Sequence, residues 1–287
     1  MRPPASIVGL LAALICLFPM AAAAGASGLA DVAALQVALR AAGAYGGDVD
    51  GIRGPATTAA VRSFQQRAAL VADGLAGPAT RRALGAVGLH PYGSRAMSGG
   101  DVGWDVAALQ FELAAHGFPS GIIDGAMGPH AVRALQAFQS RAGLVADGVA
   151  GPSVLQALRA APPVSPVRLL APLAVPVGDR FGPRGAGFHA GIDFPAPLGM
   201  PVTSAGFGTV SFAGYSASGW GNLVVVRHRF GLSTLYAHLS VIDVSPGQAI
   251  AAGAQVGRVG ATGRATGPHL HFEVLLRGAN VDPMSAL

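Results

Sequence analysis

The chain has 287 residues, of which 51% are hydrophobic and only 11% charged, so it can bury the cores of two or three domains. Its formal net charge is +5, and all 19 of its basic residues are arginine. This charge favours contact with anionic polymers, or it reflects a coding bias toward Arg, Ala and Gly codons. The sequence has no cluster of arginines interleaved with aromatic residues, which argues against nucleic acid as a partner.

The N-terminal stretch has the composition of an export signal. An apolar run at 6–20 is followed by small residues at 21–27, which predicts a signal peptide over 1–24 that is cleaved after Ala24. The run is shorter than a typical membrane span, and an uncleaved anchor is the alternative. Cys16, the only cysteine, lies inside the run, preceded by Leu-Ile where a lipid-attachment site would carry small residues. The mature chain is therefore expected to lack cysteine, so a bound metal would need His and carboxylate ligands.

The sequence from residue 31 onward is duplicated with a shift of 74 positions and no gap. The matching pairs are 31–36 with 105–110, 50–51 with 124–125, 54–55 with 128–129, 64–65 with 138–139, and 70–74 with 144–148. Apolar residues at helical spacing alternate with Asp-Gly and Gly-Pro turns, which predicts three short helices in each copy. In the first copy these are a helix that ends near Gly43, one over about 57–65, and a short one carrying Leu84.

Aspartates precede glycine in four of these turns. We expect them to be turn residues rather than metal ligands: Asp50, Asp73, Asp124 and Asp147. The residue pattern alone predicts a small helical repeat, but its order of Asp-Gly, Gly-Pro and Phe-Gln pairs also resembles the small helical peptidoglycan-binding domains. The resemblance implies two such modules, at 29–88 and 105–160, separated by a linker at 89–104. It further implies that they bind glycan or stem peptide in a shallow groove.

A Pro-rich linker at 161–171 separates the repeats from a region of different character. Beyond it, strand-like segments alternate with Gly- or Pro-bearing turns, without a long amphipathic helix between them. These segments lie at 208–215, 222–228, 232–239, 254–260 and 269–276. The sequence therefore predicts a multidomain fold, with two small all-α three-helix modules followed by an all-β antiparallel domain over 172–287.

Two histidines on the last of these strands are candidates for metal chemistry. His269 and His271 share one face of the strand because side chains alternate along it. His189 and Asp193 are expected on a loop that runs into a strand, because the glycines around them disfavour a helix. Zinc in catalytic sites takes three protein ligands and leaves a fourth position open. His189, Asp193 and one of the two paired histidines would supply that set.

Other polar residues of this region have more than one expected role or a structural one. His238 on the strand at 232–239 is a further candidate, although a lone strand histidine is more often structural, and His228 is expected to be structural. The loop at 263–268 is glycine-rich, but Gly-Lys-Ser/Thr does not follow, so we expect it to admit substrate backbone rather than phosphate. Glu273 lies on the same face as the histidine pair. It either supports a ligand by a hydrogen bond or is a surface or structural carboxylate.

Three motifs of this region together resemble the lysostaphin-type (LytM-type) zinc endopeptidases. They are FHAGID at 188–193, TLYAHL at 234–239 and TGPHLHFE at 266–273, in the order that the family shows. The resemblance implies that His189, Asp193 and His271 bind one zinc ion per chain. It also implies that His238 and His269 are the catalytic histidines, and it leaves open which of them is the general base.

These features predict a monomeric, secreted, wall-associated zinc metallo-endopeptidase that cleaves peptide bonds in the cross-bridges or stem peptides of peptidoglycan. Peptidoglycan is the expected partner, without nucleic acid and without stable membrane insertion after signal cleavage. A non-catalytic wall-binding protein or an activator of other wall hydrolases is the alternative, and a protease for Gly-rich proteins is a third. The sequence leaves open which bond is cut and whether the helical modules inhibit the site.

Overall fold

The computed structural model of the protein describes the backbone of residues 21–287 and the side chains of residues 28–287. The predicted signal-peptide run at 6–20 and Cys16 lie outside these residues. Across the part of the chain that is described, no helix combines the length and the apolar character needed to cross a membrane.

Six α-helices form the N-terminal half of the described chain. They are α1 (Ala21–Ala41), α2 (Pro55–Arg67), α3 (Pro78–Ala83), α4 (Trp104–Ala115), α5 (Pro129–Arg141) and α6 (Pro152–Ala157). Helices α1–α3 form the first helical module and α4–α6 the second. Four of the helices begin with proline, whose fixed φ suits the first helical position: α2, α3, α5 and α6. Helix α1 begins well before the predicted repeat because residues 21–30 are rich in alanine, a strong helix former.

Each Asp-Gly turn is held by a glutamine from the preceding helix. Gln36 Oε1 accepts the N–H of Gly51 at 2.9 Å, and Gln36 Nε2 donates to Asp50 Oδ1 at 2.6 Å. The same two bonds join Gln65 to Asp73-Gly74, Gln110 to Asp124-Gly125, and Gln139 to Asp147-Gly148. The assignment of these aspartates to turns is therefore confirmed, and their carboxylates already have partners.

The two helical modules share buried surface. Helix α1 packs against α4, and one apolar core contains Leu35 of the first module together with Phe111 of the second. The segment at 89–104 is packed as well, because Met97 is fully buried and pairs with Ala150. The segment between the two modules is thus a linker that is packed against the folded helical region.

The C-terminal half is an antiparallel β-domain. Its strands are β1 (Gly182–Arg184), β2 (Gly187–His189), β3 (Ile192–Pro195), β4 (Pro201–Thr203), β5 (Gly208–Ser216), β6 (Gly221–Arg227), β7 (Leu232–Leu239), β8 (Val241–Ile242), β9 (Ala249–Ile250), β10 (Gln255–Arg258), β11 (His269–Leu276) and β12 (Ala279–Val281). The largest sheet runs β12-β11-β7-β6-β5-β9, and β3 also pairs with β11; β4-β10-β8 form a second sheet and β1-β2 a hairpin. Residues of both sheets, including Val202 and Phe272, form one buried core. The predicted fold class, helical modules followed by an antiparallel β-domain, is confirmed.

The long strands match the sequence pattern, and the short ones near the site do not. Strands β7 and β11 have the predicted bounds. The sequence places His189 on a loop, which is wrong: it ends strand β2, because 187–189 pairs with 182–184. Asp193 lies within β3, where pairing with β11 fixes its position.

Candidate active site

Strand β11 is central to the candidate site because it lies between β3 and β7. His271 is directly opposite Asp193 of β3 in the antiparallel register, so both side chains project from the same face at close range. His189 ends β2 and is joined to β3 by only two residues. One of these is Gly191, where a Cβ atom would collide with the backbone oxygen of Phe272. Glycine therefore lets the link pass close to β11 and brings His189 to the same face.

Three candidate ligand atoms converge at this point. His189 Nε2 lies 3.2 Å from Asp193 Oδ1 and 3.1 Å from His271 Nδ1, and His271 Nδ1 lies 2.8 Å from Asp193 Oδ1. All three residues are buried. Among the described residues, these three side chains form a group whose ligand atoms are close enough together to hold one metal ion. We refer to them as the metal triad.

In each of the two triad histidines, the ring nitrogen that points away from the triad acts as a hydrogen-bond donor. His189 Nδ1 lies 2.8 Å from the carbonyl oxygen of Arg180, and His271 Nε2 lies 2.9 Å from Glu273 Oε1. In the neutral rings these nitrogens carry the proton, which leaves lone pairs on His189 Nε2 and His271 Nδ1. Two lone pairs and a carboxylate oxygen then face one another and repel unless a cation lies between them. Zinc, with bonds of about 2.0–2.2 Å in a tetrahedron, would place its ligands about 3.3 Å apart, so this donor set fits zinc with a small expansion.

The electrostatics of the metal triad also favour a cation. Burial raises the pKa of Asp193, but hydrogen bonds with His189 and His271 outweigh burial and hold that pKa well below its ordinary value. Burial lowers the pKa of His271, yet hydrogen bonds with Asp193 and Glu273 outweigh it and raise the pKa to about 9. The surroundings therefore stabilise positive charge between these groups.

His238 and His269 lie beside the metal triad, and the centroids of their rings are 4.7 Å apart. His238 Nδ1 is 2.7 Å from the carbonyl oxygen of Thr262, and His269 Nδ1 is 2.8 Å from that of Gly267. Both Nδ1 atoms therefore act as donors, and the Nε2 atoms keep a lone pair. His269 Nε2 is 3.9 Å from Asp193 Oδ1, which places it at the edge of the triad.

His238 reaches the site through an irregularity in β7. Ala237, its neighbour, is opposite His271 in the register, so regular alternation would send His238 to the other face of the sheet. The pairing of β6 with β7 slips between Asn222 and Val224, and His238 has a φ of 61°. This left-handed residue within a bulge turns the ring back toward the triad, as bulges near active sites do.

Glu273 supports the metal triad through a hydrogen bond to His271. Its Oε1 accepts from His271 Nε2 at 2.9 Å and from the Trp220 indole N–H at 3.2 Å, and its Oε2 accepts from Asn280 Nδ2 at 2.8 Å. Only 3% of Glu273 is exposed. Of the roles that the sequence left open, the structure supports the buried carboxylate that orients a histidine.

Comparisons with known proteins match two families to parts of the chain. Residues 187–283 match the model of peptidase family M23, and residues 29–84 and 103–158 match that of a peptidoglycan binding domain. The C-terminal domain is an M23 peptidase domain. Both resemblances stated from the sequence are confirmed.

The M23 domain is also similar to parts of characterised proteins. DD-carboxypeptidase/endopeptidase Mpg of Neisseria meningitidis is 46% identical over 97 residues, which are 34% of this chain and 22% of that protein. Peptidoglycan DD-endopeptidase ShyA of Vibrio cholerae is 42% identical over 111 residues, 39% of this chain and 24% of that protein. The chain thus spans less than a quarter of the length of either relative. The solved catalytic domain of lysostaphin from Staphylococcus simulans is 34% identical, with 38% of this chain and 90% of that chain covered and a TM-score of 0.37.

The M23 domain brings together all five residues singled out in the sequence, and His228 lies apart from them. His228 instead bonds to Thr234 Oγ1 and to the carbonyl oxygen of Phe207. Sequence reasoning missed Trp220 and Asn280, which support Glu273, and Arg184, whose Nη1 lies 3.2 Å from Asp193 Oδ2. None of the three stands in a local motif that marks it.

Proposed function

We propose that the protein is a zinc-dependent peptidoglycan endopeptidase that acts outside the cytoplasm. The observation that carries the proposal is the convergence of the metal triad beside His238 and His269 within an M23 domain. His189, Asp193 and His271 are the proposed ligands of one zinc ion per chain, and a fourth position stays open. Secretion rests on the signal sequence predicted at 1–24 and on the location of the wall, and a monomer remains our expectation.

The two catalytic histidines of the proposal would move protons around the scissile bond. Zinc, when bound, polarises a carbonyl group and lowers the pKa of water to about 7. Because His238 and His269 both keep an Nε2 lone pair in the neutral ring, either can take the proton of the attacking water. The other can deliver a proton to the leaving amine when its own Nε2 is protonated, and it returns to the neutral ring as it does so. Burial lowers the pKa of His238, which favours a neutral ring that can accept a proton. Hydrogen bonds to Thr262 and Gly267 hold both rings in place.

The domains of the chain support the proposed substrate class. One relative of the M23 domain is named a DD-carboxypeptidase/endopeptidase and another a peptidoglycan DD-endopeptidase, which supports a peptide bond of the cross-bridges or stem peptides as the target. Peptidoglycan-binding modules on the same chain would raise the effective concentration of an insoluble substrate. The proposed division is a signal peptide at 1–24, modules at 29–88 and 105–160, linkers at 89–104 and 161–171, and the peptidase domain at 172–287.

Digestion of purified sacculi tests the proposal. The full mature chain is expected to release fragments whose masses report peptide-bond cleavage, to lose this activity with a chelator, and to regain it with zinc. Metal analysis should find about one zinc per chain. A chain that binds sacculi but releases nothing, with or without zinc, would instead be a wall-binding protein or an activator of other hydrolases.

A further inference from the structure

The second helical module is docked on the M23 domain beside the metal triad. The Asn280 N–H donates to the carbonyl oxygen of Gly117 at 2.9 Å, and the Ile123 N–H donates to that of Ala186 at 2.7 Å. Ala279 of β12 is fully buried in the apolar core of the second module. Backbone bonds and shared apolar burial at two points fix the position of this module relative to the active site.

A cleft of about 1110 Å³ separates the second module from the catalytic face. His238 and His271 line it from the M23 domain, while Ile122, His130 and Arg133 line it from the second module. A peptide that reaches His238 and the metal triad through this cleft therefore passes side chains of a helical module.

The rim of the cleft carries positive charge that the protein does not neutralise. Arg133 Nη2 lies 3.0 Å from His130 Nδ1, and Arg264 Nη2 donates to the carbonyl oxygen of Ser218 at 3.2 Å. Both arginines are exposed, and among the described ion pairs neither has a carboxylate partner. By contrast, the carboxylate of Asp124, also at the cleft, already accepts from Gln110 and from the Ala126 N–H.

The duplicated module offers an internal comparison. With the shift of 74 positions, His130 and Arg133 correspond to Ala56 and Ala59 of the first module, which does not line the cleft. All four residues are exposed, so differences in packing do not account for the exchange. The basic pair is present only in the copy that faces the active site.

We propose that the second helical module forms one wall of the substrate cleft, where Arg133 and, from the M23 domain, Arg264 bind carboxylates of an acidic peptide. The guanidinium group suits this role because its planar N–H fork matches a carboxylate. The inference rests on the proposed peptidase function and names the substrate class of that same site.

The test compares two soluble cross-linked peptides, one with free carboxylates and one with the same carboxylates amidated. For the full chain, Arg133→Ala is expected to raise KM for the acidic peptide about tenfold, with kcat nearly unchanged. For the amidated peptide, wild type and Arg133→Ala should have equal KM and equal kcat. Arg159→Ala is the matched control, because it removes an exposed arginine of the same module that does not line the cleft.

If Arg133→Ala loses activity on both peptides by the same factor, Arg133 is structural and the inference is overturned. Unchanged KM and kcat on both peptides would also overturn it. If wild type cleaves neither peptide, the proposed function fails, and calorimetric binding of the two peptides to the full chain decides the inference separately. Tighter binding of the acidic peptide that disappears in Arg133→Ala supports it; equal binding of both peptides contradicts it.

Discussion

Glu273 accepts the Nε2 proton of His271 at 2.9 Å, which directs the Nδ1 lone pair of that ring into the metal triad. We expect Glu273→Gln to weaken metal binding by about 10–100-fold. The substitution removes the negative charge that orients the His271 ring and raises its basicity as a ligand. Competition between the apo-protein and a zinc chelator measures this affinity.

The chain has only one other glutamate, Glu112, and it lies in the second module. Glu112→Gln is therefore a matched control, with the same chemical change away from the metal triad, and should leave zinc affinity unchanged. Equal affinity of Glu273→Gln and wild type would show that the contact to His271 does not support the metal.

Histidine variants separate metal binding from proton transfer. His271→Ala is expected to lose zinc and activity together, since it removes a proposed ligand. His269→Ala should keep about one zinc per chain and lose activity by roughly 10²–10⁴-fold, the usual contribution of a general acid or base. Metal analysis and peptide cleavage on the same samples report the two effects.

His228→Ala is the control for this series, because His228 lies in the same domain but bonds only to Thr234 and Phe207. It should keep both zinc and activity. An active His269→Ala enzyme would reject the role assigned to that histidine.

Gly117 tests how firmly the second module is docked. Its φ is 89°, and an added Cβ would collide with the backbone of Asn280. Gly117→Ala is therefore expected to separate the module from β12 and to speed amide exchange of Asn280, which donates to Gly117, by tenfold or more.

Gly43, the equivalent residue of the first module, is the matched control. Its φ is 64°, but an added Cβ would have nothing within 4 Å. Gly43→Ala should cost about 1 kcal/mol of stability from backbone strain alone and leave the Asn280 amide protected. Equal exchange in the two variants would mean that the contact at Gly117 does not hold the module.

The sequence predicted those parts of the protein that depend on short-range patterns. Strand β11 has period-two apolar residues along its length, and Asp-Gly turns repeat at fixed offsets, so both were predictable. The orientation of His238 was not, because alternation along β7 points it away and only a bulge and a φ of 61° turn it back.

Long-range contacts explain the remaining differences. Trp220 reaches Glu273 from the turn before β6 and Asn280 reaches it from β12, and no spacing in the sequence marks either residue. The sequence pattern predicts that a helix ends near Gly43. Its equivalent in the second module, Gly117, likewise has a positive φ. The second role of Gly117, as the contact for β12, exists only after the domains have folded against each other.

Glu112 gives the protein a pH-dependent stability that is independent of the metal. It is buried in the second module, where burial raises its pKa from 4.5 to about 7, and its Oε2 lies 3.9 Å from His116 Nδ1. Because the folded state holds this proton more tightly than the unfolded state, the stabilisation is complete below about pH 4.5 and is lost as the pH rises through 7. The difference between these pKa values corresponds to roughly 3 kcal/mol. Urea unfolding of Glu112→Gln between pH 5 and 8 should therefore show a flatter pH profile than wild type and higher stability at pH 8; parallel profiles would contradict the raised pKa.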